Sequence, residues 1–241
     1  MINFFMIKSI SFVIPFFNEK KRILNCLNEI KKFRSRTIKS EFIFVDDGSN
    51  DGTDLIIKKL KKKNIKIISY KKNMGKGFAL KIGVLNAKYD WILTTDIDMS
   101  VSLKQLFTWI KKKFIKKNYY IYFGSREHKD SIIKTTFHRK FLGIIFRIFI
   151  KIYLKIFIKD TQCGFKLYKK FIAKKIFIKL TTNKFEHDLE IVLNANKINQ
   201  SIVELPVKWF HKKNSKLNIF IDPFKMLLGI ILLRYKWHNL I

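Results

Sequence analysis

The sequence predicts an α/β fold: a mostly parallel, twisted sheet with helices on both of its faces. Short apolar runs alternate with segments of helical periodicity through the first half of the chain, which is the pattern of such sheets. Hydrophobic residues make up 48% of the 241 residues, enough for a substantial core. Only nine glycines and three prolines occur, which argues against long disordered linkers. We therefore expect one domain over residues 1–241.

The elements of the first half can be read in order. The predicted strands are Ser9–Ile14, Glu41–Val45, Ile65–Ser69, Trp91–Thr95 and Tyr119–Phe123, and the predicted helices are Asn18–Phe33, Thr53–Lys63, Gly77–Ala87 and a helix after Ser102. The spacing of apolar residues turns Leu24 of the first helix and Leu55 of the second toward the core. Ligands of parallel sheets bind beyond the carboxyl ends of the strands, so a site is expected in the residues that follow each strand.

The second half contains two segments that are too apolar for ordinary surface helices. In Phe141–Ile158, basic residues recur at every fourth position from Arg147 onward, which places one cationic stripe along a helix. This helix either lies in a lipid interface with its cations toward the headgroups, or is a core helix with a solvated lysine face. Phe224–Leu233, followed by Trp237, suits a second interfacial anchor. No apolar stretch reaches the roughly 20 residues of a membrane-spanning helix.

The charge of the chain points to an anionic partner. The net charge is +32, from 50 basic and 18 acidic residues, which suits nucleic acid, a phosphorylated ligand or an acidic membrane. Compositional drift toward lysine is the alternative source of the excess. We expect no nucleic acid, because lysine is spread over every segment instead of clustering with aromatic residues on one face. The two cysteines, Cys26 and Cys163, fit no metal spacing, which indicates a reducing compartment.

An Asp-x-Asp motif, Asp96 and Asp98, follows the fourth predicted strand. Alternate side chains of an extended segment share a face, so both carboxylates can approach one site. Grouped carboxylates repel each other unless a cation or hydrogen-bond donors hold them. Oxygen ligands select hard cations, here Mg²⁺ or Mn²⁺. A surface turn is the alternative for this motif taken alone.

A second acidic cluster, residues 46–53, follows the second predicted strand and reads Asp-Asp-Gly-Ser-Asn-Asp-Gly-Thr. Its glycines permit tight turns, and we expect Ser49 and Thr53 to cap the next helix. An aspartate held here can accept hydrogen bonds from a nucleotide base or a ribose hydroxyl. Further along, Asn73–Gly77 sets Lys76 beside backbone N–H groups, which suits a diphosphate. The spacing of a P-loop is absent, which argues against a P-loop NTPase.

Taken together, these segments resemble the family 2 glycosyltransferases with the GT-A fold. The match runs from Ser11 to about Arg126 and contains, in order, Val13–Glu19, the acidic turn at 46–53, the Gly-Lys-Gly segment and the Asp-x-Asp motif. The resemblance implies a nucleotide-sugar donor and an inverting transfer. It also implies that the following residues lie around the base and ribose: Pro15, Asn18, Glu19, Asp46 and Asp47.

The same resemblance implies roles for the remaining motifs of the first half. Lys76 is expected near the nucleotide, and Asp96 and Asp98 are expected to hold the metal and the donor diphosphate. A cation on these two carboxylates neutralises the charge that develops on the leaving phosphate, so Asp98 also counts as a catalytic residue. Residues 9–126 form the predicted nucleotide-sugar-binding half, and residues 127–241 the predicted acceptor-binding and membrane-interface half.

Motifs of the second half resemble the dolichyl-phosphate β-glucosyltransferase branch of the family. They are Gly124–Arg126, Asp160–Leu167, Phe185–Glu190, and Pro206–Trp209 with Ser215–Leu217. This branch implies UDP-glucose as donor and a polyprenyl (dolichyl) phosphate as acceptor. A GDP-mannose-dependent mannosyltransferase and a family 2 enzyme with a soluble saccharide acceptor are the alternatives. Members usually carry an N-terminal membrane anchor and none is evident here, so attachment would rest on the apolar helices.

The expected location is the cytoplasmic face of a membrane, either a bacterial inner membrane or the endoplasmic reticulum, with peripheral or monotopic attachment. An integral-membrane partner that carries the product onward is a further expectation.

The sugar acceptor is expected to be a phosphate monoester, whose second pKa is about 6. It is therefore mostly dianionic at neutral pH, and it needs cationic positioning more than a general base.

Residues of the second half are assigned to the acceptor and to the reaction itself. Arg126 and Arg139 are the candidate phosphate clamp, because guanidinium pairs bidentately with phosphate, and Lys216 is a weaker candidate. Asp188 is the candidate catalytic acid or base. It could instead orient the sugar or an arginine, or offset a helix dipole, and Glu190 is the alternative acid.

Overall fold

The elements alternate as predicted in a computed structural model, in which the described residues are 7–33, 35–60, 62–134, 147–184, 186–212 and 222–238. The strands are β1 Ser9–Phe16, β2 Lys39–Asp46, β3 Ile65–Ser69, β4 Trp91–Thr94, β5 Ile121–Ser125, β6 Ile132–Lys134, β7 Lys166–Lys169, β8 Ile202–Pro206 and β9 Lys208–Phe210. The helices are α1 Ile23–Lys32, α2 Thr53–Lys58, α3 Lys76–Leu85, α4 Gln105–Lys111, α5 147–154, α6 Lys170–Ile178, α7 His187–Lys197 and α8 Asp222–His238.

Seven of the strands form one sheet in the order β3-β2-β1-β4-β7-β5-β8. β7 runs antiparallel to its neighbours β4 and β5, and the other pairings of this sheet are parallel. β6 and β9 pair separately as a short parallel ribbon. Helices cover the sheet from both sides. The predicted fold class is therefore confirmed.

The central strands are apolar on both faces because each face is covered. In β1, Phe12 and Ile14 point into a cluster that includes residues of α1 and α4, whereas Val13 points into a cluster that includes residues of α3, α6 and α7. Trp109 of α4 is fully buried, and its indole N–H donates to the Pro206 carbonyl at 2.8 Å. This bond ties the first-half helix α4 to the end of β8.

The carboxyl ends of β2, β1 and β4 lie side by side. Phe16 is in register with Asp46, and the Thr95 amide donates to the Val13 carbonyl at 3.1 Å. The segments that follow these three strands therefore meet at one edge of the sheet, where ligands of parallel sheets bind.

A close approach between α3 and α7 brings the second half of the chain to the same edge. The Gly77 amide, in the first turn of α3, donates to the Asn183 carbonyl at 2.8 Å. A Cβ on Gly77 would lie 2.6 Å from the Thr182 carbonyl oxygen and 2.7 Å from the His187 Cβ. Glycine is required here because any larger side chain would force α3 away from this segment.

The two apolar segments of the second half are helical over most of their described residues. α5 covers residues 147–154 of the predicted helix Phe141–Ile158, but residues 155–158 are not helical, so the predicted helix was too long at its C-terminal end and Lys155 lies just beyond α5. Residues 141–146 lie outside the described residues. α8 contains the predicted anchor and extends beyond it at both ends. Arg234 of α8 donates to the Tyr153 carbonyl of α5, and its guanidinium lies 4.7 Å from the centroid of the Tyr153 ring. The two helices are therefore in contact.

Both helices bury one set of apolar side chains and expose another. The buried set is Ile150, Leu154, Ile230 and Leu233, and the exposed set is Ile148, Ile152, Leu228, Ile231, Leu232 and Tyr235, with Phe157 just after α5. Across the ranges that the structure describes, no helix is both long enough and apolar enough to cross a bilayer.

Candidate active site

The second acidic residue of the 46–53 turn organises the start of α3. The Asp47 carboxylate accepts hydrogen bonds from the Tyr70 hydroxyl at 2.8 Å, from the Met74 amide at 2.8 Å and from the Gly75 amide at 2.9 Å. Burial and the bond to Asp47 raise the pKa of Tyr70, so its hydroxyl remains a donor. Asp46 is buried beside it and accepts from the Ser49 amide at 2.9 Å. Asp47 thus fixes the segment that presents Lys76.

The hydroxyls of this turn bind the neighbouring loop and leave α2 uncapped, which corrects the expectation for Ser49 and Thr53. Ser49 Oγ accepts from the Asn18 amide at 2.9 Å, and Thr53 Oγ1 accepts from the Glu19 amide at 2.9 Å. α2 follows Gly52 and has no side-chain cap. Asn18 and Glu19 are thereby held at the predicted donor edge.

Asp98 lies in a network with Arg22 and Glu19. Arg22 binds both carboxylate oxygens of Glu19, and its Nη1 lies 3.8 Å from Asp98 Oδ2. The Ser100 amide donates to Asp98 Oδ1 at 2.9 Å. Burial raises the pKa of Asp98 above its ordinary value and the negative charge of Asp96 raises it further, against the opposing effects of Ser100 and Arg22. A nearby cation would relieve that repulsion.

Asp96 is paired with the predicted nucleotide lysine. Its Oδ1 lies 2.6 Å from Lys76 Nζ, so the Gly-Lys-Gly segment and the Asp-x-Asp motif are in contact. Burial alone would lower the pKa of Lys76, but the charges of Asp96 and Asp188 outweigh it and raise that pKa. A Cβ on Gly164, in the loop before β7, would collide with the Asp96 carboxylate. The absence of a side chain at residue 164 therefore gives Asp96 its room.

Two adjoining pockets share Asp96. One is lined by Asp96 and Asp98 together with Ser100, Cys163 and Trp209. The other is lined by Asp96, Lys76, Lys166 and Asp188. The paired aspartates therefore open on a common space on one side, while Asp96 also faces a charged pocket on the other.

These carboxylates fit a hard divalent cation. Asp96 and Asp98 both face one pocket, and oxygen donors of this kind suit Mg²⁺ or Mn²⁺. Within the described part of the chain, no group of three or more histidine, cysteine or acidic side chains is arranged to hold a metal. Such a cation would therefore take its remaining ligands from water or from the phosphates of a substrate, as Mg²⁺ commonly does.

Asp188 lies in the first turn of α7 and is buried in an ion pair that sequence reasoning missed. Lys166 of β7 binds its Oδ1, and His187 Nε2 lies 3.4 Å from the same oxygen. Burial would raise the pKa of Asp188, but the positive charges around it, of which Lys166 and Lys76 are the permanent ones, outweigh burial and lower that pKa. Burial lowers the pKa of His187, which favours the neutral imidazole. One signal in the sequence could have indicated this pair: Lys166 lies between two apolar residues. A lysine in such a run is expected to be buried, and a buried charge requires a partner.

Glu190, the alternative acid, has a structural role. Its carboxylate accepts hydrogen bonds from the amides and hydroxyls of Thr181 and Thr182, at 2.6 to 3.0 Å. These four donors hold the loop that packs against α3. Asp188 is therefore the acidic residue of α7 that faces the pocket.

Arg126 is engaged in a buried pair of its own. Its Nε and Nη2 each donate to Asp160 at 2.8 Å, its amide donates to the same carboxylate at 2.8 Å, and its guanidinium lies 5.7 Å from the centroid of the Trp209 ring. Burial would raise the pKa of Asp160, but Arg126 outweighs it and lowers that pKa. The other predicted clamp residues, Arg139 and Lys216, lie outside the described residues.

Comparison with known proteins identifies the class. The sequence-family model described as glycosyl transferase family 2 matches residues 11–177. The chain belongs to this family. Its relatives include the dolichyl-phosphate β-glucosyltransferase of Dictyostelium discoideum, 33% identical over 95% of this chain and 74% of the relative. The protein of the same name from Saccharomyces cerevisiae is 33% identical over 93% of this chain and 74% of the relative.

A solved structure shares the fold. Glucosyl-3-phosphoglycerate synthase from Mycobacterium tuberculosis, solved with Mn²⁺ and UDP-glucose, superposes with a TM-score of 0.66 over 94% of this chain and 79% of that one, at 12% identity. The α/β fold is therefore that of the GT-A glycosyltransferases.

Proposed function

We propose that this protein transfers glucose from UDP-glucose, with inversion, to a polyprenyl (dolichyl) phosphate at a membrane surface. The observation that carries the proposal is the similarity over nearly the whole chain to relatives named dolichyl-phosphate β-glucosyltransferase. The pocket with Asp96, Lys76 and Asp188 at the carboxyl edge of the sheet supplies the chemistry that such a transfer needs.

The first half of the chain binds the nucleotide in this proposal. Pro15 lies near the end of β1 with Asn18 and Glu19 just after it, and Asp46 ends β2 with Asp47 just after it. These segments are proposed to form one wall of the crevice. Asp47 is proposed to act indirectly, by holding the backbone segment before α3 in place. Its carboxylate oxygens already accept hydrogen bonds from the Tyr70 hydroxyl and from two amides of that segment. Asp46 offers the second carboxylate for a base or a ribose.

The diphosphate is expected at Lys76, Asp96 and Asp98. A divalent cation bound there would act as a Lewis acid on the phosphate that leaves. Lys76 is paired with Asp96 in this structure, and its ammonium can pass from that carboxylate to a phosphate oxygen when the donor enters. Arg22 keeps Asp98 in place from the opposite side.

Asp188 is proposed to contact the donor sugar. Its lowered pKa keeps it ionised at neutral pH, which makes it a hydrogen-bond acceptor for a sugar hydroxyl and a poor proton acceptor. A phosphate acceptor is already largely deprotonated at neutral pH, so the reaction does not require a strong base at this position.

The second half of the chain receives the acceptor in this proposal. Arg126 keeps its Nη1 hydrogens for a further partner, because the pair with Asp160 uses Nε and Nη2. Arg139 and Lys216 are proposed to join it on the phosphate. The exposed apolar side chains of α5 and α8 are proposed to lie in the lipid interface, with Lys151 of α5 and Lys155 just after it toward the headgroups.

The test is a transfer assay with purified protein, dolichyl phosphate in detergent, and either Mg²⁺ or Mn²⁺. Labelled UDP-glucose and labelled GDP-mannose are supplied separately, and the organic phase is then counted. We expect label from UDP-glucose alone, and none after chelation of the metal. Label from GDP-mannose would identify a mannosyltransferase, and transfer only to a water-soluble saccharide would refute the lipid acceptor.

A further inference from the structure

We infer that Lys166 is a positioning residue for the transfer reaction: its ammonium group holds the Asp188 carboxylate in the orientation that meets the donor sugar. The inference deepens the proposed function and rests on it. It adds a residue of β7 to a site whose other members follow β1, β2 and β4 or begin α3 and α7.

Lys166 lies where a lysine is costly unless it is paired. The residue is 2% exposed, and its Nζ binds Asp188 Oδ1 while lying 4.6 Å from the centroid of the Phe123 ring. Its neighbours along the chain, Phe165 and Leu167, are buried apolar residues. Removal of one partner of such a pair leaves an uncompensated buried charge, so the two side chains act as a unit.

The charges around the pocket explain why two lysines are needed. Lys76 is paired with Asp96 and Lys166 with Asp188, so each carboxylate has its own ammonium. When Lys76 turns toward a donor phosphate, Lys166 remains as the cation on Asp188. Lys166 extends from β7, which is paired on both sides, and its side chain is enclosed, with Nζ against the Phe123 ring, so it has no room to turn toward the ligand. Its place in the sheet makes it a fixed reference for the carboxylate.

The groups that face Asp188 come from every element packed against it. Lys166 and Tyr168 lie on β7, His187 on α7, and Lys76 at the start of α3. Burial and Asp188 raise the pKa of Tyr168, and burial lowers that of His187, so both are neutral near pH 7. Of the two cations, Lys166 alone makes a direct ion pair with Asp188.

The test is a double-mutant cycle on purified full-length protein, with kcat and KM for UDP-glucose measured separately. The variants are Lys166→Met, Asp188→Asn and the two combined. We expect Lys166→Met to lower kcat on the order of 100-fold, as a displaced catalytic group does, with KM changed much less. The combined variant should be no slower than Asp188→Asn, because Lys166 acts only through that carboxylate.

Three further measurements separate positioning from folding. Lys166→Arg, which keeps the charge, should retain more than a tenth of the activity. The acid limb of the kcat/KM profile should move to higher pH in Lys166→Met, because loss of the cation raises the pKa of Asp188. Lys81→Met is the matched control, since Lys81 Nζ donates to the Leu180 carbonyl at 2.9 Å and forms no ion pair with a carboxylate of the described residues. It should keep normal kinetics.

Thermal melting of the same three variants tests the Lys166–Asp188 pair independently of activity. Each single variant should melt lower than the unsubstituted protein, and the combined variant should recover part of that loss, because no unpaired charge remains. Losses of kcat that multiply in the combined variant would overturn the inference, as would normal kcat in a folded Lys166→Met protein. Those outcomes leave the proposed function standing. Failure of the unsubstituted protein to transfer a sugar to dolichyl phosphate would overturn both.

Discussion

The surroundings of Asp98 at the sheet edge disfavour its charged form. It is held by Arg22 and the Ser100 amide, yet burial and Asp96 raise its pKa. The sequence predicted the pairing of Asp96 with Asp98 because an Asp-x-Asp motif after a strand has few arrangements. Lys166 could not be placed in the same way, since its partner Asp188 is 22 residues away and belongs to another element.

Asp98→Asn should abolish cation-dependent transfer while leaving the fold intact. Loss of one anionic ligand removes several kcal/mol of charge stabilisation on the leaving group, so kcat/KM should fall by at least about 100-fold. The measurement is transfer activity with thermal melting as the control for folding. Asp90→Asn, at an exposed loop position, is the matched substitution and should leave activity unchanged. Full activity in folded Asp98→Asn would remove Asp98 from the metal site.

The Arg126–Asp160 pair should make stability depend on pH in the acid range. The pKa of Asp160 is lowered in the folded protein. The stabilisation from this pair is therefore fully present above the ordinary aspartate pKa of about 3.9, and it is lost as the pH falls through the lower pKa that Asp160 has in the folded protein. Asp160→Asn should lower the free energy of unfolding at pH 7 on the order of 2 kcal/mol, because the half-buried Arg126 guanidinium loses the charged acceptor of its hydrogen bonds. It should also flatten the loss of stability below about pH 4.

Urea denaturation at pH 7 and at pH 3 measures both effects. The matched control is Asp54→Asn, which breaks the surface pair with Lys58 and should cost less than about 1 kcal/mol. Equal losses for the two variants would show that the Arg126–Asp160 pair contributes no more than a surface pair.

At the scale of single elements, the strands were predicted more closely than the helix faces. β3 has its predicted bounds, and the predicted strands over β1, β2 and β4 end within two residues of the observed ones. Leu24 and Leu55 were placed inward and are 62% and 57% exposed, so those predictions are wrong. Each lies toward one side of the apolar surface of its helix, outside the part that packs against the core. Periodicity alone does not show how far the core covers that surface.

α5 and α8 give the apolar surface on which the membrane proposal can be tested. Ile152 of α5 is 73% exposed. Ile152→Glu should weaken binding to liposomes by at least about tenfold, because it removes an inserted side chain worth roughly 1.5–3 kcal/mol. Leu24→Glu on α1, at a similarly exposed residue, is the matched control. Co-sedimentation with liposomes is the measurement, and an equal effect of the two variants would contradict the assignment of α5.

The whole molecule carries far more positive charge than its candidate site needs. The net charge of +32 should draw the protein to anionic bilayers, and salt should weaken this attraction, since the Debye length falls from about 10 Å at 0.1 M to about 3 Å at 1 M. We expect vesicles with anionic lipid to bind the protein more tightly than neutral vesicles at low salt. Co-sedimentation with the two kinds of vesicle over a series of salt concentrations measures this difference in binding. Equal, salt-independent binding to both would assign the charge to compositional drift.

At the scale of the whole molecule, the alternation of strands and helices predicted the topology of the first half. Strands joined by a helical crossover of this length become parallel neighbours in the sheet. The position of β7 between β4 and β5 did not follow from the sequence, since Lys166–Lys169 pairs with strands more than 40 residues earlier. The charged pocket depends on that insertion, which explains why Asp188 was predicted and its lysine was not.

The late arrival of β7 also has a consequence for biosynthesis. While the nascent chain emerges, β4 is left with one unpaired edge and β5 has neither of its neighbours, because β7 and β8 are both still to be translated. The 44 residues from Arg126 to Lys169 take roughly 2 to 9 seconds to translate. During this interval the protein has a four-stranded partial sheet with a bare edge and a β5 segment without a partner strand, the condition in which chaperones are recruited and aggregation begins.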